Sequence, residues 1–249
     1  MKYSIIIPYR DREAHLSILL PRLIEFFDDV AKDDYEIIVS EQADNENFRI
    51  ACVENIGYLH SQGDIVVFHQ VDYYPTKDVS YEVNDYPVLP AKRGIFLTED
   101  MSELRPMEDI PAGYRKWSEE IDPRFYGGII AMKREHFEKI NGFNPMYKGW
   151  GNEDEDVRER FTWVGLPVIR NEVGTFYVLH HKDNCPTPQD DPKRYRDFTV
   201  GREIYRMAFQ YRHIGYNDVI ASTEKYKMEG YDNVLWLKSW DYKVKGIDV

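Results

Sequence analysis

The chain has 249 residues, enough for one large α/β domain or two small ones, and its 43% hydrophobic content with 19 tyrosines marks a folded chain rather than a disordered one. A formal net charge of -12 argues against a nucleic-acid partner, whose phosphates need a basic field. A phosphorylated small molecule stays open, because a divalent cation can mediate that contact. Two cysteines, Cys52 and Cys185, give no disulfide framework and point to a reducing cytoplasm. With no signal-peptide pattern and no apolar run near the roughly 20 residues of a membrane span, the expectation is a cytoplasmic protein, soluble or peripherally associated with the inner face of a membrane.

Residues 4–7 are a short apolar run ended by Pro8, which reads as a buried strand. Asp11 is placed to cap a helix carrying Leu16, Leu19, Leu20, Leu23, Ile24 and Phe27 near helical spacing, and Pro21 is predicted to kink or split it. Residues 35–39 form a second strand and 48–59 a second helix; residues 64–68 form a third strand that delivers Asp72 just beyond its end. This β-α-β-α-β order begins an open parallel sheet, whose ligands sit beyond the carboxyl ends of the strands. From 76 to 122 four prolines and a run of acids break the pattern, giving either a solvated insertion or an acceptor-side excursion with short elements. Residues 127–132 are a further apolar segment, and 134–140 a helix stopped by Asn141-Gly142. An acidic-fronted helix is predicted over 153–164, a strand over 175–179 ending at His180-His181, a helix over 197–211 and terminal strands over 234–249. No linker or repeat interrupts the chain, so one domain over 1–249 is the economical reading.

Four features carry chemistry. Asp72 is a hard oxygen ligand beyond an apolar strand, placed to hold the magnesium or manganese ion of a nucleotide diphosphate, although a turn residue or helix cap would look the same. His180 or His181 could complete such a site. The run Glu153-Asp154-Glu155-Asp156 is too crowded for its members to act alike; Asp154 and Val157 are expected to share a face, with Glu153 and Glu155 pointing elsewhere. Trp150 between Gly149 and Gly151 offers a stacking surface for a sugar ring. Arg10 and Arg12 after the first strand suit a phosphate or a helix start equally, and Gln42 and Asn47 after the second lie where a nucleobase could bond. Zinc-hydrolase, GxSxG and P-loop signatures are missing.

These blocks occur together and in order: residues 5–13, Glu41-Gln42-Ala43, Asn47-Phe48-Arg49, Asn55-Ile56-Gly57-Tyr58, Val71-Asp72-Tyr73-Tyr74-Pro75, Phe125-Tyr126-Gly127-Gly128, Asn141-Gly142-Phe143 and Gly149-Trp150-Gly151-Asn152-Glu153-Asp154. In that arrangement the chain resembles the β-1,4-galactosyltransferase family, least so over 76–122. The resemblance implies an α/β fold of the GT-A nucleotide-diphospho-sugar transferase type with a central, mostly parallel sheet. It implies an inverting, metal-dependent transfer of a hexose, galactose first, from a UDP-sugar to a glycan or lipid-linked oligosaccharide. By position Pro8, Arg10 and Arg12 would touch uridine diphosphate, and Asp72 and His180 would bind Mn2+ (or Mg2+). Trp150 would close over the substrates, Glu153 would hold sugar hydroxyls and Asp154 would be the base. Phe125 and Gly128 belong to the donor-side turn.

Three departures stand out. The family's Asp-Val-Asp is Gln70-Val71-Asp72 here, so its first carboxylate, near the donor, is lost; the metal-site methionine aligns with Tyr177, and the donor-selecting tyrosine with Phe125. N-acetylgalactosamine and glucose therefore remain open as donors. With neither the membrane anchor nor the disulfides of the animal members, the chain looks like a bacterial relative working on surface polysaccharide. The rival readings are a non-catalytic carbohydrate-binding module and a sugar nucleotidyltransferase.

Overall fold

The computed structural model describes residues 1–32, 34–98, 100–110, 112–149, 151–179 and 192–247. In chain order these form β1 (Tyr3–Tyr9), α1 (Glu13–Ala31), β2 (Tyr35–Gln42), α2 (Ile50–His60), β3 (Ile65–His69), β4 (Tyr73–Pro75), β5 (Val88–Leu89), β6 (Arg93–Phe96) and β7 (Ile129–Lys133). There follow α3 (Arg134–Lys139), α4 (Glu153–Trp163), β8 (Ile169–Arg170), β9 (Thr175–Val178), α5 (Pro192–Arg206), β10 (Val219–Lys227) and β11 (Val234–Val244).

The alternation of side chains along β1 sets the layers. Tyr3, Ile5, Ile7 and Tyr9 pack with Leu16, Leu19, Leu23, Phe26 and Phe27 of α1, whereas Ile6 packs with Ala51, Cys52, Val53 and Ile56 of α2. One helix therefore covers each face, and β1 is buried along its whole length, as a central parallel strand must be. A Cβ on Gly57 would overlap Ile6, so glycine there lets α2 lie close on the sheet. The larger sheet runs β10-β11-β2-β1-β3-β7-β5-β8, parallel across β11-β2-β1-β3 and antiparallel at β10–β11, β3–β7 and β5–β7. The smaller sheet is β4-β9-β6.

Two local expectations are corrected. Helix α1 runs unbroken through Pro21, because both Pro21 and Ser17, whose carbonyl loses its donor, face solvent. Asp11 does not cap it: Arg12 occupies the N-cap position without a side-chain cap bond, and Asp11 sits in the preceding turn at φ 51°.

The stretch 76–122 is not a solvated insertion. Val79, Tyr81, Val83, Ala91, Phe96, Ile110, Trp117 and Ile121 are buried in the same cluster as β1 and α1. Within it β5 joins the larger sheet and β6 the smaller one, in pieces of two and four residues, too short to show a period in the sequence. The acids Asp100, Glu103, Glu108 and Asp109 face outward. Strand β10 was not foreseen because most of its residues are exposed and carry no apolar alternation, and α5 begins earlier than the pattern suggested.

Candidate active site

Helix α4 starts after three positions with left-handed backbone. Gly149 and Gly151 have φ of 79° and 99°, and Asn152, at the N-cap, has φ 73°. Space demands the glycines as well: a Cβ on Gly149 would overlap Asp197, and one on Gly151 would stand 3.1 Å from the Phe198 ring, both on α5. The Gly149 N–H donates to the Phe48 carbonyl at 2.8 Å, and Asn47 Nδ2 donates to Asp197 Oδ1 at 3.2 Å. The loop is thus held between the turn before α2 and the face of α5. Trp150, between the glycines, lies outside the described residues, as do His180 and His181. The stacking and ligand roles expected of them stand as expectations.

The four acids separate by helical geometry. Glu153 and Val157, four apart, line one pocket together with Asp154, which corrects the expectation that Glu153 points elsewhere. Asp156 turns into the core, where it accepts from Arg160 Nε at 3.1 Å and Asn144 Nδ2 at 3.1 Å. Arg160 in turn donates to the carbonyls of Ile140, Gly142 and Ile214, so this pair ties three segments together.

The pocket is built where separate blocks of sequence meet. Gln70 beyond β3, Tyr126, Gly127 and Gly128 of the turn before β7, and Glu54 of α2 line it with Glu153 and Asp154. A Cβ on Gly127 would sit 2.9 Å from the Phe125 ring and 3.4 Å from Asp154 Oδ2, so the glycine admits the carboxylate. Gly128, at φ 82°, leaves room for the Tyr73 ring, and its carbonyl accepts the Gln70 N–H at 2.9 Å. Ile50, Phe68, Ile130, Phe143 and Val157 make the remaining walls apolar.

Apolar walls raise the carboxyl groups. Burial pushes Glu153 up to about 7; N–H groups of Glu153 and Gly151 oppose it, and the Glu155 charge adds to it. Burial also raises Asp154, with contributions from its hydrogen bond to Glu155 and the charges of Glu153 and Glu155. Glu54 is raised by burial and then by Glu153. A helix N-terminus favours anions by about 0.3–1 kcal/mol, too little to cancel desolvation here. Glu153 Oε2 is buried without a hydrogen-bond partner among the described residues. A carboxylate held near neutrality in such a pocket is suited to accept a hydroxyl proton.

The other expected residues lie beyond the ends of β1 and β2. Pro8 is buried in β1, and Arg10 Nη1 donates to the Glu46 carbonyl at 2.6 Å with its guanidinium over the Phe48 ring. Arg12 is half-buried at the start of α1. Gln42, expected near the base, organises the loop after β2: it is 1% exposed, its Nε2 donates to Asp44 and Asn47, and its Oε1 accepts the Arg49 N–H. Asn47 is spent on Asp197 in the same way. Phe125 does not line the pocket; its ring packs 4.6 Å from Trp117, and its carbonyl accepts from Arg170 at 2.5 Å. Its ring Cζ, where a tyrosine would carry the hydroxyl, is the atom a Cβ on Gly127 would meet at 2.9 Å, and Asp154 Oδ2 lies 3.4 Å from the same point.

Asp72 is half-buried, and its carbonyl accepts the Leu179 N–H at 2.8 Å. With Tyr73 opposite Val178 and Tyr74 opposite Tyr177, β4 and β9 bring Asp72 beside the residue that precedes His180. Burial raises Tyr73, and the charges of Asp72 and Asp154 add to that rise. Among the described residues no three His, Cys, Asp or Glu side chains form a metal cluster. A hard carboxylate joined by an imidazole from the chain after Leu179 is nevertheless a donor set that fits manganese or magnesium.

Sequence reasoning missed Glu54 and Arg170. Glu54 sits among apolar residues of α2 with no motif around it, and Arg170 fastens Ala91, Asp122 and Phe125 through their carbonyls from a two-residue strand.

Comparison with known proteins agrees with this construction. Residues 1–83 match the family described as the N-terminal region of glycosyl transferase group 7, and residues 112–182 match the N-terminal domain of galactosyltransferase. Human beta-1,4-galactosyltransferase 4 is 32% identical over 188 residues, covering 72% of this chain and 48% of the relative. A beta-1,4-N-acetylglucosaminyl-transferase of Lymnaea stagnalis is also 32% identical over 188 residues, 72% of this chain and 34% of its own. The chain spans about half the length, or less, of the curated relatives it matches. The catalytic domain of Drosophila beta-1,4-galactosyltransferase 7, solved with xylobiose, superposes with a TM-score of 0.72 at 23% identity, over 100% of this chain and 95% of that one. The parallel-centred sheet, the pocket at its strand ends and these matches together place the chain in the β-1,4-galactosyltransferase family, with the GT-A fold.

Proposed function

We propose that this chain is an inverting, metal-dependent glycosyltransferase that moves a hexose, galactose first, from a UDP-sugar to a glycan hydroxyl. The observation that carries the reading is the pocket in which Asp154 and Glu153 meet Gln70 and the Gly127-Gly128 turn at the strand ends. A complex of the Drosophila relative holds manganese, UDP-Gal and xylobiose, which supports the same ligand classes here.

In this reading Asp154 takes the proton of the acceptor hydroxyl while that oxygen bonds the anomeric carbon from the face opposite the diphosphate. The bond from the anomeric carbon to the diphosphate oxygen breaks, UDP leaves with the electron pair, and the α-linked donor yields a β-linked product. Glu153 holds sugar hydroxyls beside the reacting centre, and Trp150 would close over the substrates. Arg10 and Arg12 supply positive charge beyond β1 for the uridine diphosphate. Asp72 and His180 would hold the ion, whose contribution is to neutralise charge on the departing diphosphate. We place the acceptor among glycans and lipid-linked oligosaccharides of bacterial surface polysaccharide, handled in the cytoplasm at the inner membrane face. The low cysteine content, with Cys52 free and buried, supports a reducing compartment.

Incubation with a panel of UDP-sugars and glycan acceptors, with manganese or chelator, tests the reading. The expected result is a β-linked product that needs the metal and disappears in Asp72→Ala. Metal-independent transfer, or a product retaining the α configuration, would overturn it. Consumption of a sugar phosphate and nucleoside triphosphate would favour a nucleotidyltransferase, and sugar binding without any turnover a binding module.

A further inference from the structure

The pocket holds one acidic side chain that neither the motif blocks nor the fold explains. Glu54, on the fifth residue of α2, is 8% exposed and lines the same pocket as Gln70, Gly128, Glu153 and Asp154. Its neighbours on the helix, Ala51, Val53 and Ile56, belong to the apolar cluster under the sheet. No described residue gives it a hydrogen bond or a compensating charge, and the one charge acting on it, Glu153, repels it. An acid so placed lowers stability, because desolvation goes unreturned, and an apolar residue of similar size would remove that loss. Glu153 Oε2, buried without a partner among the described residues, belongs to the same pocket. Two acceptor groups without donors thus meet in one apolar-walled space, beside a position where an amide stands in place of a carboxylate.

We propose that Glu54 contacts the donor: its carboxyl group hydrogen-bonds hydroxyls of the sugar being transferred and helps set which hexose is accepted. This rests on the glycosyltransferase reading above. A polyhydroxylated ring supplies the donors that the protein withholds from Glu54, and a site built around such bonds discriminates strongly against sugars that lack them. Overall similarity does not select the sugar, since relatives named for galactosyl and N-acetylglucosaminyl transfer are both 32% identical to this chain. A carboxyl at position 54 compensates, from α2, for the one missing at Gln70.

The test compares the full chain with Glu54→Leu and Glu54→Gln. Calorimetric titration with manganese present uses UDP alone and then UDP-galactose, UDP-N-acetylgalactosamine, UDP-glucose and UDP-N-acetylglucosamine, alongside transfer rates and thermal melts. The expected result is UDP affinity unchanged within about 2-fold, with affinity and kcat/KM for the preferred UDP-sugar lowered by about 10–100-fold in Glu54→Leu. The ranking of sugars should change, and the variant should melt no lower than the parent. Unchanged sugar ranking and kcat/KM would overturn the assignment. So would a lowered melting temperature with UDP and UDP-sugar binding reduced in equal proportion, which would mark Glu54 as structural. A parent protein that binds and transfers no UDP-sugar would sink the functional reading itself, a result distinct from an active parent with indifferent variants.

Discussion

Asp154 and Asp156 stand two residues apart in the first turn of α4, Asp156 buried in the core and Asp154 half-buried on the pocket wall. Asp156 meets Arg160 and Asn144, and Arg160 carries the connection on to the backbone carbonyls of Ile140, Asn141, Gly142 and Ile214. Burial pushes its carboxyl up, and those two partners oppose the push. Asp154 has no cation; the groups acting on it are Glu153 and Glu155, and all but a backbone N–H raise it. The difference separates two uses of a buried acid. Where the surroundings answer the charge, the acid holds the fold together; where they do not, it is kept for a ligand or a proton.

The largest effect should come from removing the answering charge at Asp156. Arg160→Leu leaves a buried carboxylate without its cation and frees four carbonyls, so unfolding free energy should fall by about 3–5 kcal/mol in denaturant titration. Next comes Asp154→Asn, which keeps size but cannot accept a proton. Turnover should fall by roughly 100-fold or more with UDP-sugar affinity largely retained, and the melting temperature should not drop. Near-normal turnover in Asp154→Asn would erase the contrast between the two aspartates.

A smaller effect should appear in the pH dependence of stability. Glu153 titrates at about 7 in the folded state against 4.5 as its ordinary value, so the folded chain binds more protons between those limits. The stability linked to Glu153 is therefore fully present below about 4.5 and is lost as pH rises through about 7. Melts across that window should show a shallower decline in Glu153→Gln than in the parent; identical slopes would remove Glu153 from the unanswered group. The smallest effect is expected for Phe125→Tyr. Its ring packs on Trp117 with only Cζ standing against Gly127 at the pocket's edge, so the ratio of galactose to N-acetylgalactosamine transfer should move by only about 3-fold.

Much of this was legible in the residues. The apolar runs over residues 4–7, 35–39 and 64–68, each followed by a helix or a turn, state the parallel-centred sheet, because strands buried on both faces are rich in apolar residues. Gly149, Gly151 and the acids after them mark a turn into a helix and an anionic site, since few other residue types tolerate those dihedrals. Asp72 was placed correctly beyond its strand.

Other features depend on groups distant in sequence. Whether Glu153 faces pocket or solvent depends on the rotation of α4, and that is fixed by Arg160 reaching Ile140, Gly142 and Ile214. Residues 76–122 look like a surface loop because their segments are short, yet packing against α1 and two sheets buries them. Glu54 carries no local signature; it becomes a site residue when α2, β3, the Gly127-Gly128 turn and α4 converge around it. Local sequence determined the elements and their chemistry, since dihedral preference and apolar spacing act over a few residues. Burial, and with it the charge state of each acid, is a property of everything that surrounds it, and that was decided by the tertiary structure.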